Sequence, residues 1–325
     1  MVHDVVIGVD GGGSQTRVMV SDLTGNILSY AVGGASSIHK DSNAHVNVQR
    51  TIQSSLAMAG CSVDQVKGLY AGIAGYESDQ DLEWVTQLTD VEGLDCPKWY
   101  VNDSLVAHAG AFIGQPGIVV VSGTGSMILA ITEQKMAIKN IDFHHYAASA
   151  ARFLAYDAVY QALAGNTHGS DETLIRDIQS YWGVNNLEQL RFLAAQGFVE
   201  NRMERNKKFG EMAPMITDAA EAGSYMAQIV CDRAIGEIMV GVEILGSYFQ
   251  SAQVSVTGIG SVMNCSYMRS KFADRLQSGN NKQYDYTTPE LSAVSGAVLK
   301  ALQSLGISIE IHMIESIRRH PNASW

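Results

Sequence analysis

Three consecutive glycines set between two apolar runs constrain this chain more than any other feature. The stretch reads Val5-Val6-Ile7-Gly8-Val9-Asp10-Gly11-Gly12-Gly13-Ser14-Gln15-Thr16-Arg17-Val18-Met19-Val20. Adjacent glycines would cost a helix interior about 1 kcal/mol each relative to alanine, so a strand, a tight turn and a returning strand are expected. Glycine lets backbone approach a ligand closely, and the turn's N–H groups can then face an anion. Ser14 and Thr16 add hydroxyls. A carboxylate beside a phosphate repels it unless a cation stands between them, so Asp10 at the strand end points to a metal. The competing reading is a glycine-rich hairpin with a solvated aspartate at its tip.

The 325 residues exceed one ordinary core, and two domains are expected. A net charge of −11 argues against nucleic-acid and anionic-membrane partners, which need clustered Lys and Arg. It leaves open a nucleotide held by backbone amides and a metal. Met1-Val2-His3-Asp4 leads directly into a strand without a signal-peptide pattern, and no apolar run reaches a membrane span of roughly 18 residues. Cys61, Cys96, Cys231 and Cys265 are scattered, as expected of reduced thiols in a cytoplasmic protein.

In order, the expected elements are a third strand at 27–32, a helix at 43–59, a strand at 66–73 and a helix at 78–88. A strand at 98–101 and a helix from Ser104 to Phe112 follow. Gly114-Gln115-Pro116-Gly117 reads as the domain linker. Beyond it the plan restarts: a strand at 118–122, the turn Gly123-Thr124-Gly125-Ser126, and a returning strand at 127–132. The chain from about 146 to 250 is mostly helical. A strand at 254–257 runs into Gly258-Ile259-Gly260-Ser261. A helix starting near Thr288-Pro289 and a short frayed one after Gly306 complete the list.

Three glycine turns, each after a strand, with Asp103 between the first two, resemble the actin/hexokinase/Hsp70 ATPase superfamily. More narrowly the chain resembles the BadF/BadG/BcrA/BcrD ATPase family, which includes N-acetylglucosamine and glucosamine kinases. Asp10–Thr16 resembles that family's first phosphate motif, Gly123–Ser126 its second and Val256–Ser261 its adenosine motif. Asn102-Asp103-Ser104 and Ser295-Gly296-Ala297 resemble its connecting segments. The resemblance implies an α/β fold of two ribonuclease-H-like domains around a central cleft, each with a mixed five-stranded sheet flanked by helices. The domains would span 1–113 and 114–325, the last helix packing back on the first.

It also implies an ATP-dependent kinase acting with Mg²⁺ on a sugar or amino sugar. Gly11, Gly12, Gly13, Ser14 and Thr16 would hold the β- and γ-phosphates, with Gly123, Thr124, Gly125 and Ser126. Gly258 and Gly260 would admit adenine and ribose. Asp10 would bind Mg²⁺ through water, and Asp103 would be the general base, its competing role being the N-cap of the following helix. Asn102, Ser36, Ser37 and Tyr76 would face the acceptor. A homodimer is the family-level expectation.

One departure stands out. The amino-sugar kinases carry a GDEGS-type segment about twenty residues past the second phosphate motif, whose carboxylate binds sugar hydroxyls. Here the region reads Phe143-His144-His145-Tyr146-Ala147-Ala148-Ser149-Ala150-Ala151-Arg152, with alanine at both acidic positions. Asp142, His144, His145 or Arg152 would then read a different acceptor. Arg152 and Asp157 could pair with each other, and adjacent His144 and His145 lack the cluster a metal site needs. Two alternatives to a kinase are an activase-type ATPase, which needs closely placed cysteines for a shared iron–sulfur cluster, and a nucleotide- or sugar-sensing protein with no phosphoryl acceptor.

Overall fold

The structure is a computed structural model and describes residues 4–325; the reading of Met1-Val2-His3 lies outside the described residues. The chain forms two compact units. One comprises the chain up to Val119 together with Thr288–Trp325, and the other is Val120–Thr287.

In the first unit the expected meander is β1 (Val5–Gly11), β2 (Thr16–Asp22) and β3 (Ile27–Gly33), followed by α1 (Ala44–Ala59) and β4 (Val66–Ile73). Next come α2 (Leu82–Leu88), β5 (Lys98–Asn102) and α3 (Asp103–Phe112). The sheet order is β3-β2-β1-β4-β5. β1 pairs antiparallel with β2 and parallel with β4, and β4 pairs parallel with β5. All seven residues of β1 are buried, as expected for a central strand covered on both faces. The inward face of α1 is Ala44, Val48, Ile52 and Leu56, a clean i, i+4 stripe, while Val46 is only half-buried and Met58 is exposed. Each fully buried aliphatic side chain contributes about 1.5–3 kcal/mol. Gly60 ends α1 in the left-handed region at φ 65°.

A second five-stranded sheet, order β10-β9-β6-β7-β8, belongs to the second unit apart from the first half of β6, within which the boundary falls. Its strands are β6 (Gly117–Ser122), β7 (Ser126–Ile131), β8 (Ala137–Lys139), β9 (Gln253–Ile259) and β10 (Gln283–Tyr286). The short strands β8 and β10 carry too few residues for a sequence pattern to reveal. Helices α4 (Ala151–Ala164), α5 (Glu172–Tyr181), α6 (Leu187–Ala195), α7 (Arg202–Glu211), α8 (Ala213–Glu221), α9 (Tyr225–Gly246) and α10 (Ser266–Leu276) fill the remainder. α4 buries Ala151, Leu154, Ala155, Ala158, Val159 and Ala162, a helical stripe built mostly of methyl groups. Tyr156 of α4 stacks on Phe209 of α7 with ring centroids 3.8 Å apart.

The chain then returns to the first unit with α11 (Ala293–Ser304) and α12 (Ile311–Arg318). α11 starts four residues beyond Pro289 rather than around it. Ser292, in extended backbone, is the N-cap and accepts from Gly296 N, while the residues before it are tied to α3, Glu290 and Leu291 donating their N–H groups to Ala111 and Gly110. α11 lies so close to α3 and β1 that a Cβ on Gly296 would stand 2.1 Å from the Val106 carbonyl, and one on Gly8 would stand 2.6 Å from Val298 N. The small residues of Ser295-Gly296-Ala297 are therefore what this packing requires. Two mixed five-stranded sheets with flanking helices accord with the expected fold class.

Candidate functional site

In the first unit, parallel register puts Gly11 of β1 beside Ile73 of β4, and Ile73 beside Asn102 of β5. The three strands thus end level. The carboxyl edge of such strands is where open α/β sheets bind ligands.

The glycine turn is braced on both sides. Gly12 N donates to Gln15 O at 2.8 Å, and Ala74 N donates to Gly11 O at 2.7 Å. Ser36 donates to Gly12 O from both its backbone N and its Oγ, each at 3.1 Å. Thr16 Oγ1 donates to Gly34 O at 2.8 Å from a fully buried position. A hydroxyl has one proton, and Thr16 and Ser36 spend theirs on holding the loop. The Gly12 amide is spent in the same way, on Gln15 O. Ser37 is also buried, its carbonyl receiving the N–H groups of Lys40 and Asp41.

Asp10 is 7% exposed and sits opposite Arg17 in the β1–β2 register, with Arg17 Nη1 3.2 Å from its Oδ2. Burial pushes its carboxyl above the usual carboxylate range, and Arg17 pulls it part of the way back. Sequence reasoning passed over Arg17; the hairpin register is the signal that would have found it.

The Asn102 side chain is taken up by hydrogen bonds within the protein. Its Oδ1 accepts from Ser104 N at 3.0 Å and from Ser104 Oγ at 2.6 Å, while Nδ2 donates to Tyr76 O at 3.1 Å and to Glu77 Oε1 at 2.9 Å. It is the N-cap of α3, the role weighed above for Asp103, and Asp103 is the first helical residue. Asn102 therefore fixes where Asp103 begins the helix. It also ties down the Tyr76-Glu77 turn after β4, where the Tyr76 side chain packs half-buried against the sheet's core.

In the second unit, the turns after β6 and β9 lie side by side. Gly123 N closes the first by donating to Gly125 O at 2.9 Å. Val262 N donates to Ser122 O at 3.1 Å. Gly260, at φ 101°, lies so near that a Cβ would stand 2.4 Å from the same Ser122 oxygen, and a Cβ on Gly258 would meet the Met263 side chain at 2.6 Å. Packing within the protein by itself requires glycine at Gly260, where backbone lies in the way, whereas at Gly258 the close atom is the end of a flexible methionine side chain.

The segment leading into α4 backs the Gly123–Ser126 turn. Ser122 Oγ donates to Ser149 O at 2.5 Å, Ala151 N to Gly123 O at 2.7 Å, and Ser126 Oγ to Ala147 O at 2.9 Å. Ser149 Oγ lies 2.8 Å from Ser126 Oγ. Ser126 thus braces its loop as Thr16 braces the first. Gly125 at the tip is exposed, with no atom within 4 Å of where a Cβ would be. Arg152 Nη1 lies 3.4 Å from the Thr124 carbonyl.

The remaining candidates point elsewhere. Asp142 is exposed and accepts from Lys139 N at 2.8 Å. The two ring nitrogens of His145 are buried without a hydrogen bond, 4.0 Å separates its Nε2 from Glu237 Oε2, and the ring packs on Gly241 of α9. His144 is exposed. Asp157 pairs with Arg233 through both carboxylate oxygens at 3.2 Å, not with Arg152. Among the described residues no group of three His, Cys, Asp or Glu could hold a metal, and no helix is long and apolar enough to cross a membrane. The four cysteines are free thiols.

Residues 7–301 match the model of the BadF/BadG/BcrA/BcrD ATPase family. An N-acetylmuramic acid/N-acetylglucosamine kinase from Clostridium acetobutylicum is 24% identical over 269 residues, covering 80% of this chain and 85% of that protein. An N-acetyl-D-glucosamine kinase from Dictyostelium discoideum is 20% identical over 250 residues, covering 71% and 75%. Among solved structures, an N-acetylglucosamine kinase candidate from Chromobacterium violaceum superposes with a TM-score of 0.71 at 20% identity, covering 92% of this chain and 99% of that one. A ROK family glucokinase from Streptomyces griseus, solved with glucose and AMPPNP, gives 0.56 at 20% identity, covering 91% and 98%. At those identities the structural likeness speaks to the fold alone.

Proposed function

Because this chain belongs to the BadF/BadG/BcrA/BcrD ATPase family, we propose that it is an ATP-dependent kinase that phosphorylates a hydroxyl of a sugar or amino sugar. The observation that carries the reading is the level carboxyl edge of β1, β4 and β5. It brings Asp10, the glycine turn and Asp103 to one end of one sheet. The named activities of the two sequence relatives support the same chemistry.

Phosphoryl transfer asks a protein for positioning and charge stabilisation. The tip of the first glycine turn, at Gly13, meets the phosphates. Thr16 and Ser36 keep that tip in shape from behind. Asp103 accepts the proton of the acceptor hydroxyl as that oxygen bonds to the γ-phosphorus. The bond from phosphorus to the β–γ bridging oxygen breaks, ADP leaves, and the proton remains on the Asp103 carboxylate.

Asp10 fits Mg²⁺ held through water. One of its oxygens is tied to Arg17 and the other remains to accept, and a buried carboxylate with a raised pKa gains from a nearby cation. The bound cation supplies neutralisation of the phosphate oxygens.

The test is Asp103→Asn. Calorimetry with magnesium and ATP should give an affinity within about threefold of the parent, while turnover on a panel of sugars and amino sugars should fall by about 10²-fold or more. A variant as active as the parent would remove Asp103 as the base. Silence of the parent across the whole panel would remove the sugar.

A further inference from the structure

The segment from Asp142 to Arg152 contains one carboxylate, Asp142, which is exposed and caps its own turn. At the other end of the segment stands Arg152, half-buried on the first turn of α4. Its guanidinium reaches the Thr124 carbonyl with Nη1 at 3.4 Å, and its centre lies 4.2 Å from the Phe153 ring centroid. No carboxylate among the described residues pairs with it. Arg202, the first residue of α7, lies near enough to act on it with like charge, and no described carboxylate pairs with Arg202 either. Desolvation pushes the Arg152 pKa down, Tyr156 opposing the shift and Arg202 adding to it. The guanidinium is thus partly desolvated with no carboxylate among the described residues beside it.

A guanidinium binds carboxylate or phosphoryl oxygens through a planar fork of donors. One long bond to a carbonyl uses little of that fork. We propose that Arg152, supported by Arg202, forms an anion subsite beside the Gly123–Ser126 turn, taking a phosphoryl or carboxylate group presented at that loop. The subsite rests on the kinase reading for the identity of its anion, which is the nucleotide's terminal phosphate or an acidic group on the acceptor. In the second case the substrate class is an acidic sugar. An arginine next to the loop recognises charge where hydroxyl-reading carboxylates are missing.

Three probes separate these sources in the full chain carrying Arg152→Gln, Arg152→Lys or Arg202→Gln. Inorganic pyrophosphate binding reads the subsite directly. The ratio of AMPPNP to ADP affinity reads the terminal phosphate. The ratio of KM for N-acetylglucosamine and N-acetylmuramic acid, which differ by a carboxylate-bearing lactyl group, reads an acidic acceptor.

We expect Arg152→Gln to weaken pyrophosphate by about tenfold or more, Arg152→Lys to restore part of the loss, and Arg202→Gln to cost about threefold. Exactly one of the two ratios should collapse with Arg152→Gln, and the one that does names the source. If Arg152→Gln does not fold, judged by thermal melting, Arg152→Lys and Arg202→Gln carry the comparison. The subsite is overturned if the parent binds none of the probes, or if pyrophosphate and both ratios stay within twofold of the parent in every folded variant. Loss of pyrophosphate binding in a protein that phosphorylates no sugar would keep the subsite and remove the kinase reading.

Discussion

Arg17 and Asp10 face each other across the β1–β2 hairpin at 3.2 Å, the arginine over a third exposed and the carboxylate nearly closed off from water. The asymmetry makes the two substitutions unequal. Asp10→Asn removes a charge that burial disfavours and strands only an exposed arginine, so the protein should be no less stable while magnesium-dependent ATP uptake falls by about tenfold or more.

Arg17→Met instead leaves the buried carboxylate alone. Burial raises the folded pKa of Asp10 above its unfolded value of about 3.9. Protonation of Asp10 therefore favours the folded state. That contribution is complete below the unfolded pKa and is lost as pH rises through the folded one. With Arg17 gone the folded pKa climbs further. Urea midpoints should show Arg17→Met about 1–3 kcal/mol less stable than the parent at pH 8, with the gap narrowing toward pH 5. A gap that is the same at both pH values would mean that Asp10 is not the group responsible.

Asn102 joins stability to chemistry because it caps α3 and holds Glu77 with the same side chain. Asn102→Ala should cost about 1 kcal/mol for the cap and should also lower turnover, since Asp103 is the next residue. Asn102→Asp retains the oxygen that accepts from Ser104 but loses the donor to Tyr76 and Glu77. The new carboxylate also stands against that of Glu77 in a buried position, so denaturation at neutral pH should rank it below Asn102→Ala.

Thr16→Val tests whether a hydroxyl in the first turn is structural. Its one proton goes to Gly34 O. The isostere should therefore cost about 0.5–1.5 kcal/mol of stability and change ATP affinity by less than about threefold. A tenfold loss of affinity without a stability change would return Thr16 to the phosphates.

The strands that carry the site were legible because glycine turns and β-branched runs announce themselves locally. Those runs placed β1, β2, β4, β5, β6 and β9 within a residue or two. What stayed hidden depends on partners far away in sequence. The stretch before α11 is tied to α3, Glu290 and Leu291 donating to Ala111 and Gly110, and the helix opens only after the extended Ser292. Asn102, not Asp103, became the cap because its side chain had both Ser104 and the Tyr76-Glu77 turn to satisfy. The hydroxyls of Thr16, Ser36 and Ser126 looked like ligand donors in sequence, since nothing local reveals the carbonyls that consume them. Asp157 likewise found Arg233 on α9 instead of Arg152, five residues before it.

Two glycines of the second unit distinguish a glycine kept for the protein from one kept for a ligand. At Gly260 the backbone is left-handed, and a Cβ would press on the Ser122 carbonyl at 2.4 Å. Gly260→Ala should therefore cost at least about 2 kcal/mol from backbone conformation and overlap together. At Gly125 a Cβ meets no protein atom within 4 Å and the position is exposed, so Gly125→Ala should move stability by no more than about 0.5 kcal/mol. Any loss of ATP affinity in Gly125→Ala then reports a clash with what the loop binds, and calorimetry should show a drop of about tenfold. Unchanged affinity in a normally folded Gly125→Ala would mean that no phosphate approaches this tip. The phosphate contacts of the second unit would then have to be sought away from the Gly123–Ser126 turn.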